Sequence, residues 1–386
     1  MTPLYRFGFV LTTALGNATR TANLRKYADR HAASLGAECI WAEVSHWDEQ
    51  ANQNPRLPSA IRARQASARQ MQPVLKQYGT LDAVVWHYHE PYALRTLWRR
   101  RGEKPLVAWA ADAPPDTGNG SYPRYRSAPP QPLQQRARLA FDKHCFAGTD
   151  LFFPWSEWAA GVLSGECGVP QERMHILNVG IDLEKFPYVP DVTMPDPASD
   201  ALPRLLFVGG EFVRKGGDTL LAMFGERFQG RATLDLVTKN APPGLPTDVR
   251  VHAGVSPNDG KLQALLAGCD VFVLPTRADF SSYASMEAMA TGRPVVTTNT
   301  GGVPDVVAHG ETGFVVPVGD PGALGDAIET LLADANLRAR FGQAGRVRVE
   351  THFSAETNAR ILLRTLVAAT DAARAPGDGF RAGTTL

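Results

Sequence analysis

Only four cysteines occur in 386 residues, at Cys39, Cys145, Cys167 and Cys269, and no two form a Cys-x-x-Cys pair. That excludes a disulfide framework and a structural zinc site and fits a reducing, cytoplasmic setting. Long hydrophobic runs are missing too: no stretch approaches the roughly 18 apolar residues a membrane span needs. The apolar Tyr5–Thr12 segment is short and leads to no small-residue cleavage pattern, so it reads as a first strand and not as a secretory leader. The chain carries no Gly-x-x-x-x-Gly-Lys-Ser/Thr loop and no Gly-x-Gly-x-x-Gly after its first strand, which excludes the two common phosphate fingerprints. Asp-x-Asp in a strand-end loop, the usual hold for a catalytic cation, is also lacking. What remains is ordinary for a folded chain: 44% hydrophobic and 20% charged residues, over a length that calls for two domains.

The net charge of +1 hides an asymmetry, because residues 1–160 hold 20 Lys and Arg against 13 Asp and Glu. A basic first half suits a solvated face, an acidic substrate or a peripheral contact with an anionic membrane. The densest run, Arg99-Arg100-Arg101, lacks the interleaved aromatics of a single-strand binder, which argues against nucleic acid.

Apolar runs alternate with helical periodicity from end to end. In the first half, strands are expected at Tyr5–Thr12, Ala83–Trp86 and Leu106–Ala111, and helices near residues 20–35, 61–75 and 133–144. The second half offers strands at residues 204–209, 233–237, 249–252, 271–275, 294–298 and 313–316, with helices at 218–227, 261–267, 283–291, 322–332 and 355–373. This is an α/β chain of two doubly wound, Rossmann-like domains facing across a cleft. The expected division is a first domain over 1–186, a proline-rich linker over 187–203 and a second domain over 204–353. A C-terminal helix over 354–374 is expected to pack back toward the first domain, and the Gly-rich residues 375–386 to form a disordered tail.

Two stretches carry chemistry. In Val271–Asp305 a buried strand ends at Pro275, and the loop Asp279-Phe280-Ser281-Ser282 opens a helix bearing Glu287. Ser281 or Ser282 suits the helix cap, whose unpaired N–H groups make a ready anion site. Ser282 and Glu287 are separated by about 7.5 Å of helix, the reach from a group held at the helix start to the ribose of one nucleotide. A carboxylate suits a cis-diol, since each oxygen takes one hydroxyl hydrogen. In Arg204–Gly217 a strand runs into Gly209-Gly210 and then Arg214-Lys215. Two cations on a glycine-flanked loop can neutralise a diphosphate without a metal, and they favour a leaving group that gains charge. Gly16, after the first strand, lets backbone approach a phosphate closely.

Over about residues 5–370 the chain resembles the family 4 retaining glycosyltransferases, of GT-B fold. The resemblance rests on Asp279, seven residues and then Glu287-Ala288-Met289-Ala290-Thr291-Gly292-Arg293-Pro294-Val295-Val296, where the family has an acidic residue, seven residues and EAMA-x-G-x-PVV. It extends to Gly301-Gly302-Val303-Pro304-Asp305, His309-Gly310-Glu311-Thr312-Gly313, Gly319-Asp320-Pro321, Asn178-Val179-Gly180-Ile181-Asp182 and Trp86-His87-Tyr88-His89-Glu90-Pro91.

The resemblance implies that sugar moves, with retention and without a metal or other cofactor, from a UDP- or GDP-sugar to a hydroxyl of a glycan, a lipid-linked molecule or a small molecule. Lys215 and Arg214 would hold the diphosphate, with Gly209 and Gly210 beside them and Gly16 closing from the first domain. Glu287 would bind the ribose. Asp279 and the N–H groups of Phe280, Ser281 and Ser282 would hold the transferred sugar, while His89 and Asp112 face the acceptor. The enzyme would be cytoplasmic, or sit at the inner face of the membrane. Three departures stand out: Asp279 where Glu is usual, Gly210 where Arg is usual, and Ala111 where a reaction-centre His falls. They leave a nucleotide-sugar-binding paralogue without turnover, and an epimerase of the same fold, as the other readings.

Overall fold

The computed structural model describes residues 3–13, 17–45, 66–87, 95–96, 98–117, 132–189, 202–257 and 259–375. Two expected features, most of the 187–203 linker and nearly all of the 375–386 tail, lie outside them, as do Gly16 and His89. The chain separates into two compact units, breaking after Gly180 and again after Ser354.

In the first unit five parallel strands, β1 (Tyr5–Thr12), β2 (Ala37–Val44), β3 (Ala83–Trp86), β4 (Leu106–Ala111) and β5 (Leu151–Pro154), lie in the order β2-β1-β3-β4-β5. Its helices are α1 (Asn17–Ala32), the short α2 (Gln72–Leu75), α3 (Pro132–Ala147), α4 (Glu157–Gly165) and, from the far end of the chain, a 20-residue helix over Ala355–Arg374. Alternation along β1 sends Phe7, Phe9 and Leu11 into one core and Val10 into the other. Gly8 falls where a Cβ would come 2.8 Å from both Leu81 and Val74, so that helix layer sits directly on the strand. The 355–374 helix carries Ala359, Leu362, Leu363, Leu366 and Ala369 at helical spacing and buries them with Phe7, Phe9 and Tyr27. Its last turns are fastened to β1 and its neighbourhood: Tyr5 donates to the Asp371 carboxylate at 2.9 Å, and Arg374 to Asp82 at 2.9 Å.

The second unit holds six parallel strands, β6 (Arg204–Val208), β7 (Thr233–Val237), β8 (Val249–Val251), β9 (Val271–Leu274), β10 (Val295–Thr298) and β11 (Gly313–Val316). Their order, β11-β10-β9-β6-β7-β8, reverses direction between β6 and β9. The helices are α5 (Gly217–Arg227), α6 (Gly260–Gly268), α7 (Tyr283–Ala290), α8 (Val303–Val306), α9 (Pro321–Ala333) and α10 (Ala335–His352); the helix over Ala355–Arg374 is α11. β9 and β10 are buried at every residue, as strands covered by helices on both faces must be. All four cysteines are free thiols, and burial pushes that of Cys269 up to about 12. Among the described residues no helix is long and apolar enough to cross a membrane.

Candidate active site at the β6/β9 switch point

Open parallel sheets bind ligands beyond the carboxyl ends of their strands, where strand order reverses and two loops diverge. In the second unit that point lies between β6 and β9. The loop after β6 carries Gly209, Gly210, Arg214 and Lys215; the loop after β9 carries Asp279, Phe280, Ser281 and Ser282. Residues 64 positions apart in sequence are therefore brought together by topology alone: the Lys215 ammonium forms an ion pair with the Asp279 carboxylate, in which both side chains are largely buried.

The β6 loop is shaped by three close approaches. Lys215 lies over Gly209, where a Cβ would stand 2.9 Å from that of Lys215. Gly216 is left-handed at φ 76°, and a Cβ there would fall 1.9 Å from the Pro275 carbonyl oxygen of the neighbouring loop. Gly217 starts α5 against the Phe212 ring. Gly210 meets nothing within 4 Å, so the space around it does not demand glycine. Both the steric conflict and the φ of Gly216 predict that Gly216→Ala lowers folding stability by about 2 kcal/mol or more. Urea unfolding measures this; a midpoint equal to that of the wild type would show the two loops are less tightly apposed.

Arg214 is placed differently from Lys215. Its guanidinium donates to Glu211 Oε2 at 2.5 Å and to the Ala278 carbonyl at 2.7 Å, which clips the β6 loop to the β9 loop. The Arg214 hydrogen bond holds the Glu211 carboxyl below its usual range. Arg277 reinforces the clip, donating from its backbone N–H to the Arg214 carbonyl at 2.9 Å and from its side chain to Asp218 at 2.8 Å. Glu211, Gly216 and Arg277 were not legible as site residues; the spacing of Glu211 and Arg214, three apart, is the one signal that could have paired them.

Ser282 is the cap of α7: its Oγ accepts from the Ser285 N–H at 3.3 Å, while Ser281 stays half-exposed. Glu287 sits on the second turn, only 5% exposed; its carbonyl accepts from the Thr291 N–H at 3.2 Å, while its carboxyl makes no hydrogen bond among the described residues. Burial pushes its carboxyl up to about 8. A carboxyl kept uncompensated in this way stores an acceptor for incoming hydroxyl groups.

In the first unit, Asp112 stands half-buried directly after β4, with buried Ala111 as the last residue of that strand. His87, after β3, is engaged within the unit. Its Nδ1 accepts from the Thr12 N–H at 3.4 Å and lies 3.0 Å from the Arg20 guanidinium, and its ring stacks on Trp155.

Residues 202–334 match the sequence model of the glycosyl transferases group 1. A capsular polysaccharide biosynthesis glycosyltransferase, CapM, of Staphylococcus aureus is 46% identical over 87 residues, 22% of this chain and 23% of that protein. A GDP-mannose-dependent α-(1-6)-phosphatidylinositol monomannoside mannosyltransferase of Mycobacterium tuberculosis is 30% identical over 54% of this chain and 60% of its own length. The chain thus spans less than two thirds of these curated relatives. Among solved structures, a sucrose-phosphate synthase from Thermosynechococcus elongatus matches with a TM-score of 0.70 at 20% identity, over 95% of this chain and 100% of that one. HepE of Anabaena in complex with UDP-glucose matches with a TM-score of 0.64 at 15% identity, over 94% and 99%. The second unit thus resembles the glycosyl transferases of group 1 over residues 202–334, and the chain shares the GT-B fold of these solved structures.

Proposed function

We propose that the protein is a retaining, metal-independent glycosyltransferase that moves a sugar from a nucleoside diphosphate sugar to an acceptor hydroxyl. The observation that carries this reading is the Lys215–Asp279 pair at the switch point, with the buried, unpartnered Glu287 one helix turn and more beyond the Ser282 cap. Lys215 takes the donor diphosphate and Glu287 the ribose hydroxyls. Asp279, with the N–H groups of Phe280, Ser281 and Ser282, holds the transferred sugar. In the step itself the bond from the sugar to the diphosphate oxygen breaks on the face where the bond to the acceptor oxygen forms. The departing phosphate oxygen takes the acceptor proton, and the Lys215 ammonium stabilises the charge that develops. Arg214 acts chiefly by holding the two loops in register.

A UDP- or GDP-sugar fits the names borne by similar proteins, one solved with UDP-glucose and one dependent on GDP-mannose. The acceptor is a glycan, lipid-linked or small-molecule hydroxyl, met on the side of Asp112 and His89, by an enzyme that works in the cytoplasm or at the inner face of the membrane. Donor binding and slow donor hydrolysis, measured across UDP-, GDP- and ADP-sugars, test the reading: one donor is expected to bind selectively. With that donor, EDTA is expected to leave turnover unchanged, because the Lys215 ammonium does the neutralising. Loss of turnover in EDTA that added metal restores would sink the metal-free mechanism, and binding of no donor would leave a fold without this activity.

A further inference from the structure

The amino edge of the second sheet holds charge that the site at the opposite edge does not use. Register places it: Leu205 pairs with Val271, and Val295 with Phe272. Continued back, these registers bring Arg204, Asp270 and Arg293 level on β6, β9 and the lead into β10, and side chains level across a sheet share a face. Arg293 is only 1% exposed, yet its guanidinium makes no hydrogen bond and no ion pair among the described residues, and its Nε is buried. Arg204 donates from Nη2 to Asp235 at 3.2 Å, while its Nε is buried without an acceptor. Asp270, itself buried, accepts from the Arg204 backbone N–H at 2.7 Å and is felt by Arg293 only through space. It is felt likewise by Arg338 of α10, a buried side chain that donates to the Leu331 carbonyl at 2.6 Å and to that of Leu332 at 3.0 Å. One carboxylate thus stands among three arginines. Tyr188, half-buried, closes this side of Arg293: its ring lies against Gly292, where a Cβ would come 2.6 Å from it.

We propose that the arginines of this edge, Arg293 and Arg204, bind a small inorganic anion, chloride. Burial holds the Arg293 guanidinium below its usual range, but arginine stays charged in a protein, so it cannot escape the cost by losing a proton. Buried donors that the protein itself leaves unsatisfied mark the place of an ion or a water. Water would accept the same hydrogen bonds, but it brings no charge to offset a guanidinium held in a dry interior. A monatomic ion suits a side chain so fully enclosed; phosphate and sulfate, each with four oxygens, do not. Tyr188 is the half-exposed member and marks the way in. Bound there, the ion ties together the starts of β6, β9 and β10, the first two of which end in the loops of Lys215 and Asp279. Anion binding at this edge goes beyond sugar transfer and stands whether or not the second unit performs it.

Urea unfolding of the full chain in sodium chloride and in sodium gluconate, at matched ionic strength, tests the assignment, since gluconate is too large to enter. The wild type is expected to unfold at higher urea in chloride, with a dependence that saturates. At about 100 times the dissociation constant, chloride should lower the unfolding constant about 100-fold. Arg293→Met keeps the reach of the side chain and removes its charge, and its midpoints are expected to be equal in the two salts. In gluconate it is expected to unfold no earlier than the wild type, because no unpaired charge is left buried. Wild-type crystals soaked in bromide read the site directly and without the variant: an anomalous peak is expected within hydrogen-bond distance of the Arg293 guanidinium. Equal wild-type midpoints in the two salts overturn the proposal, as does the lack of a bromide peak beside Arg293 or a chloride effect that Arg293→Met retains in full. Donor binding is expected to be equal in the two proteins. Its absence from both would count against the transferase and not against the anion.

Discussion

Lys215→Ala is expected to cut transfer from the nucleotide sugar by at least about 100-fold, the usual cost of removing one preorganised group that meets developing charge. The size of the effect follows from the division of labour between the two cations. The Arg214 guanidinium is engaged by Glu211 at 2.5 Å and by the Ala278 carbonyl at 2.7 Å, so it cannot swing over to replace the lost ammonium. Lys215 instead faces Asp279, a partner that a diphosphate can displace. The loss should fall mainly on kcat, because a leaving diphosphate carries more charge at the transition state than in the bound donor. Lys215→Arg tests placement against charge and is expected to recover only part of the rate. Single-turnover rates and donor dissociation constants separate the two contributions. A rate for Lys215→Ala within about threefold of the wild type would remove Lys215 from the reaction.

Glu287→Gln should have two opposite effects. Burial raises the carboxyl to about 8 in the folded protein without donor, against an ordinary value near 4.5. Between those values the unfolded chain releases the proton and the folded chain keeps it, so wild-type stability falls as pH rises from about 4.5 to about 8. Below that window the penalty vanishes; above it the penalty is complete and of the order of a few kcal/mol. Glutamine carries no such cost. Glu287→Gln is therefore expected to be more stable than the wild type at pH 9 and close to it at pH 5, as read by urea unfolding. Donor binding moves the other way: a carboxylate that accepts both ribose hydroxyls loses about 10- to 100-fold in affinity on becoming an amide. Wild-type donor affinity should rise with pH through the same window, since only the ionised form offers both acceptors. A variant with wild-type donor affinity, or with an unchanged pH dependence of stability, would separate Glu287 from the ribose or from its buried state.

Much of the frame was legible because buried parallel strands are written as short apolar runs. All six strands of the second unit fall where those runs predicted, trimmed by at most a residue at either end. Two strands of the first unit did not announce themselves. In β2 the apolar run is broken by the exposed Glu38 and Glu43 on an edge strand, and β5 is four residues ending in proline. Helix α10 was hidden for a different reason. Its buried positions are Arg338, Phe341, Gly342, Gly345 and Val349, so its inner stripe is made largely of arginine and glycine. Gly342 belongs there because a Cβ would meet the Gly292 carbonyl oxygen at 2.1 Å, which marks a helix packed on backbone and not through leucines. At the site, the sequence named Lys215, Arg214, Asp279 and Glu287 but not the clip that Glu211 and Arg277 make with Arg214, since which cation turns inward depends on loop shape that spacing does not encode.

The hold of Ala355–Arg374 on Tyr5 and Asp82 has a consequence for synthesis. Nascent chain emerges from its N-terminus, and compact segments generally fold as they appear. The second unit has all its strands once Ser354 is out, but the wall formed by Phe7, Phe9 and Tyr27 still waits for Leu362, Leu363 and Leu366. The part translated first is thus the part completed last. Until Leu362, Leu363 and Leu366 have emerged the first unit carries an open greasy flank, the stage at which a holding chaperone would have the most to cover.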